Sequence, residues 1–215
     1  MATAPASAIG ATIFTDIIIF AKAPQSGLAK TRLIPALGAD GAAQLALKML
    51  NHAVAQAVEA KLGSVIIAST PNQQHPAFIA LEKQHGVALI DQGLGDLGQR
   101  MQLAFDWVWQ LDSVKQSKQI LLMGSDIPAI DSSILIQAAQ ALQSHDAVFI
   151  PTFDGGYALV GLKSPHPGLF MDMQWSNAVV LQTTRARAKA LGLRCYELAP
   201  VHDIDIPADL VHSPF

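Results

Sequence analysis

An apolar run at residues 17–21 ends in a loop whose side chains suit anion binding. The loop contains three cations, a glycine and a hydroxyl, namely Lys22, Lys30, Arg32, Gly27 and Thr31. Open α/β sheets bind ligands beyond the carboxyl ends of their strands, and loops at such ends can surround an anion. These residues therefore predict an anion-binding site, and phosphate is the expected anion.

Acidic residues follow two later segments. The segment Gly124-Ser125-Asp126 comes directly after a strand predicted over residues 119–123, so the Asp126 carboxylate is expected at the same edge of the sheet. Asp203 and Asp205 have alternate side-chain directions if their segment is extended. Mg²⁺ binds one or two protein carboxylates together with substrate phosphates, so a metal site is one interpretation. The alternatives are a turn cap before Pro128 and an acidic surface turn.

The third group of candidate residues could contact an acceptor. Asp154 precedes two glycines and Tyr157, a pattern typical of a turn between two strands. Turn chemistry alone explains Asp154, whereas a functional carboxylate there would orient an acceptor hydroxyl or take its proton. Trp175 precedes a predicted helix and is either part of the core or a wall of an acceptor pocket.

Two glycine-containing segments resemble phosphate-binding motifs. GLAKT at 27–31 ends like a P-loop but lacks the required earlier glycine, which excludes that motif. GLGDLG at 93–98 matches G-x-G-x-x-G between a strand and a helix. However, it follows the third predicted strand, and no acidic residue stands at the ribose-binding position. A turn is favoured, and a nucleotide-dependent oxidoreductase using Gly93–Gly98 is the alternative from a different class.

Strand-like and helix-like segments alternate along the chain. Strands are predicted at 16–21, 64–69, 87–91, 119–123, 147–152, 157–162 and 194–198. Helices are predicted at 40–61, 76–85, 97–111, 131–143 and 177–191. The alternation predicts a single α/β domain with a mostly parallel central sheet and helices on both faces. We expect a flexible tail at residues 1–15 and the domain at 16–215.

Composition excludes several functional classes. The chain has 215 residues, of which 51% are hydrophobic and 14% charged, as expected for a globular domain. Its formal net charge of −3 without a basic block argues against a nucleic-acid polymer as partner. The single cysteine, Cys195, excludes an internal disulfide, and no apolar run reaches the roughly 20 residues of a membrane span. We expect a cytoplasmic protein.

Several segments form an ordered set: KAPQSGLAKTRL at 22–33, GDLGQRM at 95–101, GSDIP at 124–128, DGGYALVGL at 154–162, Phe170 to Ser176, and DIDIPADL at 203–210. This set resembles the bacterial glycosyltransferase-like family of the nucleotide-diphospho-sugar transferase superfamily. The resemblance covers nearly the whole chain, from about Asp16 to Leu210. It implies the GT-A fold and a relationship to the guanylyl- and cytidylyltransferases of cofactor synthesis.

The resemblance also implies a role for each group of residues. The nucleotide phosphates would be bound by Lys22, Gly27, Lys30, Thr31 and Arg32. A divalent cation, Mg²⁺ or Mn²⁺, would be bound by Asp126 and Asp205. The catalytic carboxylates would be Asp154 and Asp203. The acceptor pocket would be lined by Tyr157 and Trp175.

The implied activity is glycosyl transfer from a nucleoside diphosphate sugar to a hydroxyl of a small molecule. The alternative with the same fold is nucleotidylyl transfer from a nucleoside triphosphate to a phosphorylated acceptor. The three cations of the loop favour this alternative, because a triphosphate carries more negative charge than a diphosphate. The chain departs from the family pattern at Ser26-Gly27, where proline-glycine is usual, and at Thr152-Phe153, where small residues are usual. Neither departure removes a charged group.

Overall fold

Seven strands form one sheet in the part of the chain that the computed structural model describes, residues 14–110 and 118–215. The strands are β1 (Phe14–Lys22), β2 (Val65–Thr70), β3 (Ala88–Asp91), β4 (Lys118–Gly124), β5 (Ala147–Pro151), β6 (Tyr157–Leu162) and β7 (Cys195–Glu197). Their order is β3-β2-β1-β4-β6-β5-β7. Only β6 runs antiparallel to its neighbours, which confirms the predicted mostly parallel sheet.

Helices cover both faces of this sheet. They are α1 (Ile34–Ala60), α2 (Pro76–His85), α3 (Leu97–Gln110), α4 (Ser132–Leu142) and α5 (Val180–Ala190). Successive residues of β1 point to opposite faces, so Ile17 and Ile19 pack with α1, α2 and α4, whereas Ile18 packs with α3 and α5. The apolar run at residues 17–21 of β1 follows from this burial on both faces.

The observed boundaries differ from the predicted ones mainly at the first strand and the first helix. Strand β1 begins at Phe14, two residues before the predicted start, and residues 1–13 of the predicted tail lie outside the described residues. Helix α1 begins at Ile34, but Gly38 interrupts it with φ 71° and ψ 166°. The predicted start at Asp40 therefore marks the continuous part of the helix. Leu111, the predicted end of α3, also lies outside the described residues.

The β5–β6 hairpin and the start of α4 lie where local sequence patterns predict them. Strands β5 and β6 form the antiparallel hairpin expected around Gly155-Gly156, and Gly155 has a φ of 94° that favours glycine. Asp131 is the N-cap of α4, where its Oδ1 accepts the N–H of Ile134 at 2.9 Å. This bond satisfies one of the free N–H groups of the first helical turn.

We expect Asp131→Ala to lower the free energy of unfolding by about 1 kcal/mol at neutral pH, because the N-cap bond is lost. The Ile134 N–H and the Ser133 hydroxyl hold the pKa of Asp131 below its ordinary value of 3.8. The stabilisation is therefore present above pH 3.8 and disappears as the pH falls through the lower folded-state pKa. Urea unfolding at several pH values measures this. Gln84→Ala, at an exposed site within α2 and without a titratable group, is the control and should show no such pH-dependent difference.

Candidate active site

A cleft of about 460 Å³ lies where the parallel strands β1, β2, β3 and β4 end. Its lining includes most of the predicted phosphate and metal residues, namely Lys22, Lys30, Thr31, Arg32, Asp126 and Asp205. Gly27 lies outside this lining and shapes the loop instead, with a φ of 78°. The structure therefore brings together side chains that are far apart in the sequence.

Gly124 lines this cleft and also two smaller cavities of about 240 and 150 Å³. A Cβ at this position would lie 2.7 Å from Asp126 Oδ1 and 2.9 Å from Ile127 Cδ1. Any larger residue would therefore displace the Asp126 carboxylate. Gly124 was not predicted as a site residue, although it is the first residue of the GSDIP segment.

Lys30 is fixed by the backbone of its loop. It adopts the left-handed conformation, with φ 46° and ψ 47°, at the start of the short 3₁₀ helix Thr31–Leu33. Ala29 and Leu33 on either side are 2% and 0% exposed and hold the loop on the core. A non-glycine residue in this conformation costs roughly 1 kcal/mol or more and is found where the surroundings impose it. The strain is consistent with a functional position.

Two cations of this loop contact the two carboxylates of the cleft. Lys30 Nζ lies 2.8 Å from Asp126 Oδ2 and 3.7 Å from Asp205 Oδ1. Arg32 Nη1 lies 2.5 Å from Asp205 Oδ2. The Lys30 side chain is only 12% exposed, against 68% for Arg32, so its ion pair is the less screened of the two. Within the described residues, Lys22 makes no ion pair.

Asp203 and Asp205 face different cavities, as the alternation of an extended segment predicts. Asp205 lines the large cleft, whereas Asp203 lines the 150 Å³ cavity together with Asp126 and Asp154. Burial and the negative charge of Asp154 raise the pKa of Asp203, the charge of Asp126 adds to this rise, and Lys30 opposes it. No Lys or Arg is present among the described residues that line this cavity.

We expect Asp203→Asn to stabilise the metal-free protein at neutral pH. Because the folded-state pKa of Asp203 is raised, folding disfavours its ionised form. The resulting destabilisation is absent below pH 3.8, the ordinary pKa of the group. It develops as the pH rises above that value and through the higher folded-state pKa. The melting temperature of Asp203→Asn should therefore exceed that of the wild type at pH 7 and match it at pH 3. Equal values at both pH values would contradict the electrostatic interpretation.

Asp154 is held by its own turn. Its Oδ1 accepts the hydroxyl proton of Thr152 and the N–H of Gly156, the latter at 3.0 Å. By contrast, the Asp203 side chain makes no ion pair and no hydrogen bond to another described residue. These hydrogen bonds confirm that Asp154 stabilises a turn, as predicted. Of the two carboxylates, Asp203 has the fewer hydrogen bonds to described residues.

The 240 Å³ cavity has mainly apolar walls. Tyr157 and Trp175 line it with Phe20, Met101 and Val180. Tyr157 Oη and Trp175 Nε1 are buried and find no hydrogen-bond partner in the described part of the chain. Burial raises the pKa of Tyr157, and the nearby Thr184 hydroxyl, which donates to Val180 O, opposes this only in part. The aromatic rings, and not their polar atoms, therefore face the cavity.

The Gly93–Gly98 segment forms a capped turn. Asp96 Oδ1 accepts the N–H of Gln99, and Gln99 Oε1 accepts the N–H of Asp96, both at 2.9 Å. A carboxylate therefore occupies the N-terminus of α3, where a dinucleotide pyrophosphate would need those N–H groups. A Cβ on Gly98 would lie 2.4 Å from Phe170 O. Close packing against Phe170 therefore explains why the last residue of the segment is a glycine. The geometry supports the turn and not the dinucleotide site.

The donor atoms of the cleft suit Mg²⁺ or Mn²⁺ in their chemistry, since both prefer carboxylate oxygens. Across residues 14–110 and 118–215, no group of three or more His, Cys, Asp or Glu side chains could hold a metal by itself. The ammonium of Lys30 lies between Asp126 and Asp205, where a shared cation would otherwise be expected. Asp126 therefore fits as a single carboxylate ligand of such a metal, with substrate phosphates and water as its other ligands.

Comparison with solved structures defines the class of protein. The chain is similar to a protein of Desulfovibrio desulfuricans G20 provisionally named a nucleotide-diphospho-sugar transferase, with a TM-score of 0.80, 28% identity, and coverage of 89% of this chain and 82% of that one. The fold is thus the GT-A fold of nucleotide-diphospho-sugar transferases, as the sequence motifs implied. The family model described as "Uncharacterized protein conserved in bacteria (DUF2064)" matches residues 53–177, and the chain belongs to this family.

Two more distant structures share the fold. One is 4-diphosphocytidyl-2C-methyl-D-erythritol synthase from Anaerococcus prevotii DSM 20548, with a TM-score of 0.61, 11% identity, and coverage of 94% of this chain and 96% of that one. The other is Rv0371c from Mycobacterium tuberculosis H37Rv in complex with manganese, with a TM-score of 0.56, 16% identity, and coverage of 94% and 97%. No curated protein matches the chain in sequence. No described helix is both long and apolar enough to cross a membrane.

Proposed function

We propose that the protein is a divalent-metal-dependent glycosyltransferase that transfers a sugar from a nucleoside diphosphate to an uncharged hydroxyl acceptor. Its fold is shared with nucleotide-utilising transferases, one of them provisionally named for nucleotide-diphospho-sugar transfer. We favour sugar transfer over nucleotidylyl transfer because of the charges around the proposed acceptor site.

The observation that carries the proposal is the contrast in charge between the two sides of Gly124. The described lining of the large cleft has three cations, Lys22, Lys30 and Arg32, against two carboxylates, and this excess of positive charge suits a diphosphate. The two smaller cavities have no lysine or arginine among their described lining residues, but they have the carboxylates of Asp126, Asp154 and Asp203. A phosphorylated acceptor, which nucleotidylyl transfer requires, would be repelled there. A neutral hydroxyl beside aromatic walls fits.

In the proposed reaction, the acceptor oxygen attacks the anomeric carbon of the donor sugar. The bond from that carbon to the β-phosphate oxygen breaks, its electron pair leaves with the nucleoside diphosphate, and the hydroxyl proton passes to a carboxylate. We assign this proton transfer to Asp203, because Asp154 already accepts two hydrogen bonds. A base with few hydrogen bonds to its charged form is the better proton acceptor.

Lys30 and Arg32 would bind the departing diphosphate, whose charge rises as the bond breaks. Asp205 would position both cations through the contacts described above. Asp126 would hold Mg²⁺ or Mn²⁺, which supplies further stabilisation of the same charge, and the manganese complex of a protein with this fold supports such a site.

The test compares the products released from the two kinds of donor. Purified protein is first screened by thermal shift with sugar derivatives of ADP, CDP, GDP and UDP, with and without Mn²⁺; a ligand at 100 times its Kd stabilises by about 2.7 kcal/mol. Stabilising donors are then incubated with a mixture of neutral polyols and sugars. We expect release of nucleoside diphosphate that is lost in Asp203→Asn. Pyrophosphate release from a nucleoside triphosphate in the presence of phosphorylated acceptors, without diphosphate release, would overturn the proposal.

A further inference from the structure

Gln92 is a buried amide in the wall of the large cleft. It directly follows β3, its backbone N–H donates to Ser69 O at 2.9 Å, and its exposed fraction is only 7%. It nevertheless belongs to the lining of the cleft. Gln92 was not predicted as a site residue, because a single glutamine after a strand belongs to no distinctive motif.

The hydrogen bonds of this amide fix its orientation. Nε2 donates to Ala68 O at 2.9 Å and lies 3.5 Å from Ala21 O. Both neighbours are carbonyl oxygens, so the reversed amide would place Oε1 against two acceptors and is disfavoured. Oε1 has no hydrogen-bond partner among the described residues. The cleft therefore contains a fixed acceptor that a ligand can use.

The order of the strands places this acceptor on the nucleoside side of the cleft. The Gln92 amide contacts β1 and β2, whereas Asp126 follows β4 on the opposite side of β1. Beyond β4 lie β6, β5 and the two acceptor cavities. A nucleoside diphosphate sugar has its base and its sugar at opposite ends of the diphosphate. With the sugar directed toward Asp203 and the phosphates at Lys30, the base lies on the Gln92 side.

Apolar side chains border the same cleft. Leu28 from the cationic loop and Leu97 from the start of α3 both line it, and they are 52% and 43% exposed. Exposed leucine side chains in a cleft suit the faces of a planar, weakly polar ring. Thr70, at the end of β2, adds a hydroxyl that can donate or accept.

We propose that Gln92 Oε1 accepts a hydrogen bond from an exocyclic amino group of the donor base, so that the protein prefers an amino-bearing base over its oxo or deamino counterpart. This inference rests on the proposed nucleotide-dependent function and specifies its substrate. A carbonyl oxygen in place of the amino group would face Oε1 and leave both acceptors buried without a donor.

The first test uses the wild-type protein with Mn²⁺ and isothermal titration of matched nucleotides. The pairs are CDP and UDP, ADP and IDP, and GDP and IDP. In the first two pairs an oxo group replaces the amino group and the adjacent ring nitrogen gains a proton, and in the third pair a hydrogen replaces the amino group. We expect the tightest ligand to carry the amino group and to bind about tenfold more tightly than its counterpart, the effect of one hydrogen bond to a buried acceptor. UDP or IDP as the tightest ligand, or affinities within twofold in all pairs, would overturn the inference.

The second test uses Gln92→Met, which keeps the length of the side chain but removes the acceptor. We expect the affinity for the preferred nucleotide to fall to that of its counterpart, while the affinity for the counterpart is unchanged. A preference that persists in a folded Gln92→Met protein would overturn the inference. The control is Gln74→Met, at an exposed site outside the cleft lining, which should keep the wild-type ratio.

The outcomes separate this inference from the proposed function. If no nucleotide binds the wild-type protein, both are overturned. If nucleotides bind without discrimination between paired bases, the inference about Gln92 fails and the proposed transferase function stands. If Gln92→Met does not fold, because the carbonyls of Ala21 and Ala68 lose their donor, the wild-type pairs alone decide.

Discussion

Asp126→Asn should lower the transfer rate at saturating donor about a thousandfold, and the residual rate should no longer depend on Mn²⁺. The substitution keeps the shape of the side chain but removes the charge that we propose holds the metal. It also removes the partner of Lys30 at 2.8 Å. Loss of a single preorganised charge that acts on the leaving group costs about 10²–10³ in rate, and loss of the metal adds to that. The measurement is diphosphate release as a function of Mn²⁺ concentration.

Glu82→Gln is the matched control, because it removes an exposed carboxylate from α2 without changing the cleft. It should have the wild-type rate and the wild-type metal dependence. A metal-dependent rate in Asp126→Asn within threefold of the wild type would contradict the assignment of Asp126.

The second large effect is expected for Lys30→Met, which should raise the Kd of the donor about 50-fold, in the range for hydrogen bonds to charged groups. Lys30 is 12% exposed and contacts two carboxylates, so solvent screens its charge little. Arg32→Met should raise the Kd only about fivefold, because Arg32 is 68% exposed. Titration calorimetry of both variants with the same donor measures the difference.

Lys30→Met should also lower the melting temperature of the free protein, since Asp126 and Asp205 would then face each other without the ammonium between them. Arg32→Met is the internal comparison for both measurements. A larger loss of affinity in Arg32→Met than in Lys30→Met would contradict the ranking by burial.

Local patterns were sufficient to predict most of the fold. The uninterrupted apolar run of β1 indicated a strand buried on both faces, Asp131 indicated the start of α4, and the two glycines after Asp154 indicated a hairpin turn. Each of these signals depends on residues close in sequence. The helical turn at 34–37 was missed, because Pro35 and Gly38 are residues typical of a loop.

The candidate site was predictable in its components but not in its pairings. The sequence placed the cations and carboxylates at strand ends, and alternation correctly separated Asp203 from Asp205. It could not show that Lys30 contacts Asp126, because the two are 96 residues apart and only the sheet order brings them together. It also missed Gln92, whose acceptor becomes apparent only from the two carbonyls that occupy its amide protons.

The charge contrast across Gly124 has a consequence for the chemical step itself. Among the described lining residues, three cations outnumber two carboxylates on the side that would receive the departing diphosphate, whereas carboxylates are the only charged groups on the side that faces the sugar and the acceptor. When a glycosidic bond to phosphate breaks, the sugar ring becomes positive and the phosphate becomes more negative. In the proposed reaction, the electric field of the folded protein is therefore aligned with the growing dipole of the breaking bond before any substrate arrives. The polarity of that field defines a direction along the sheet edge in which the sugar is transferred.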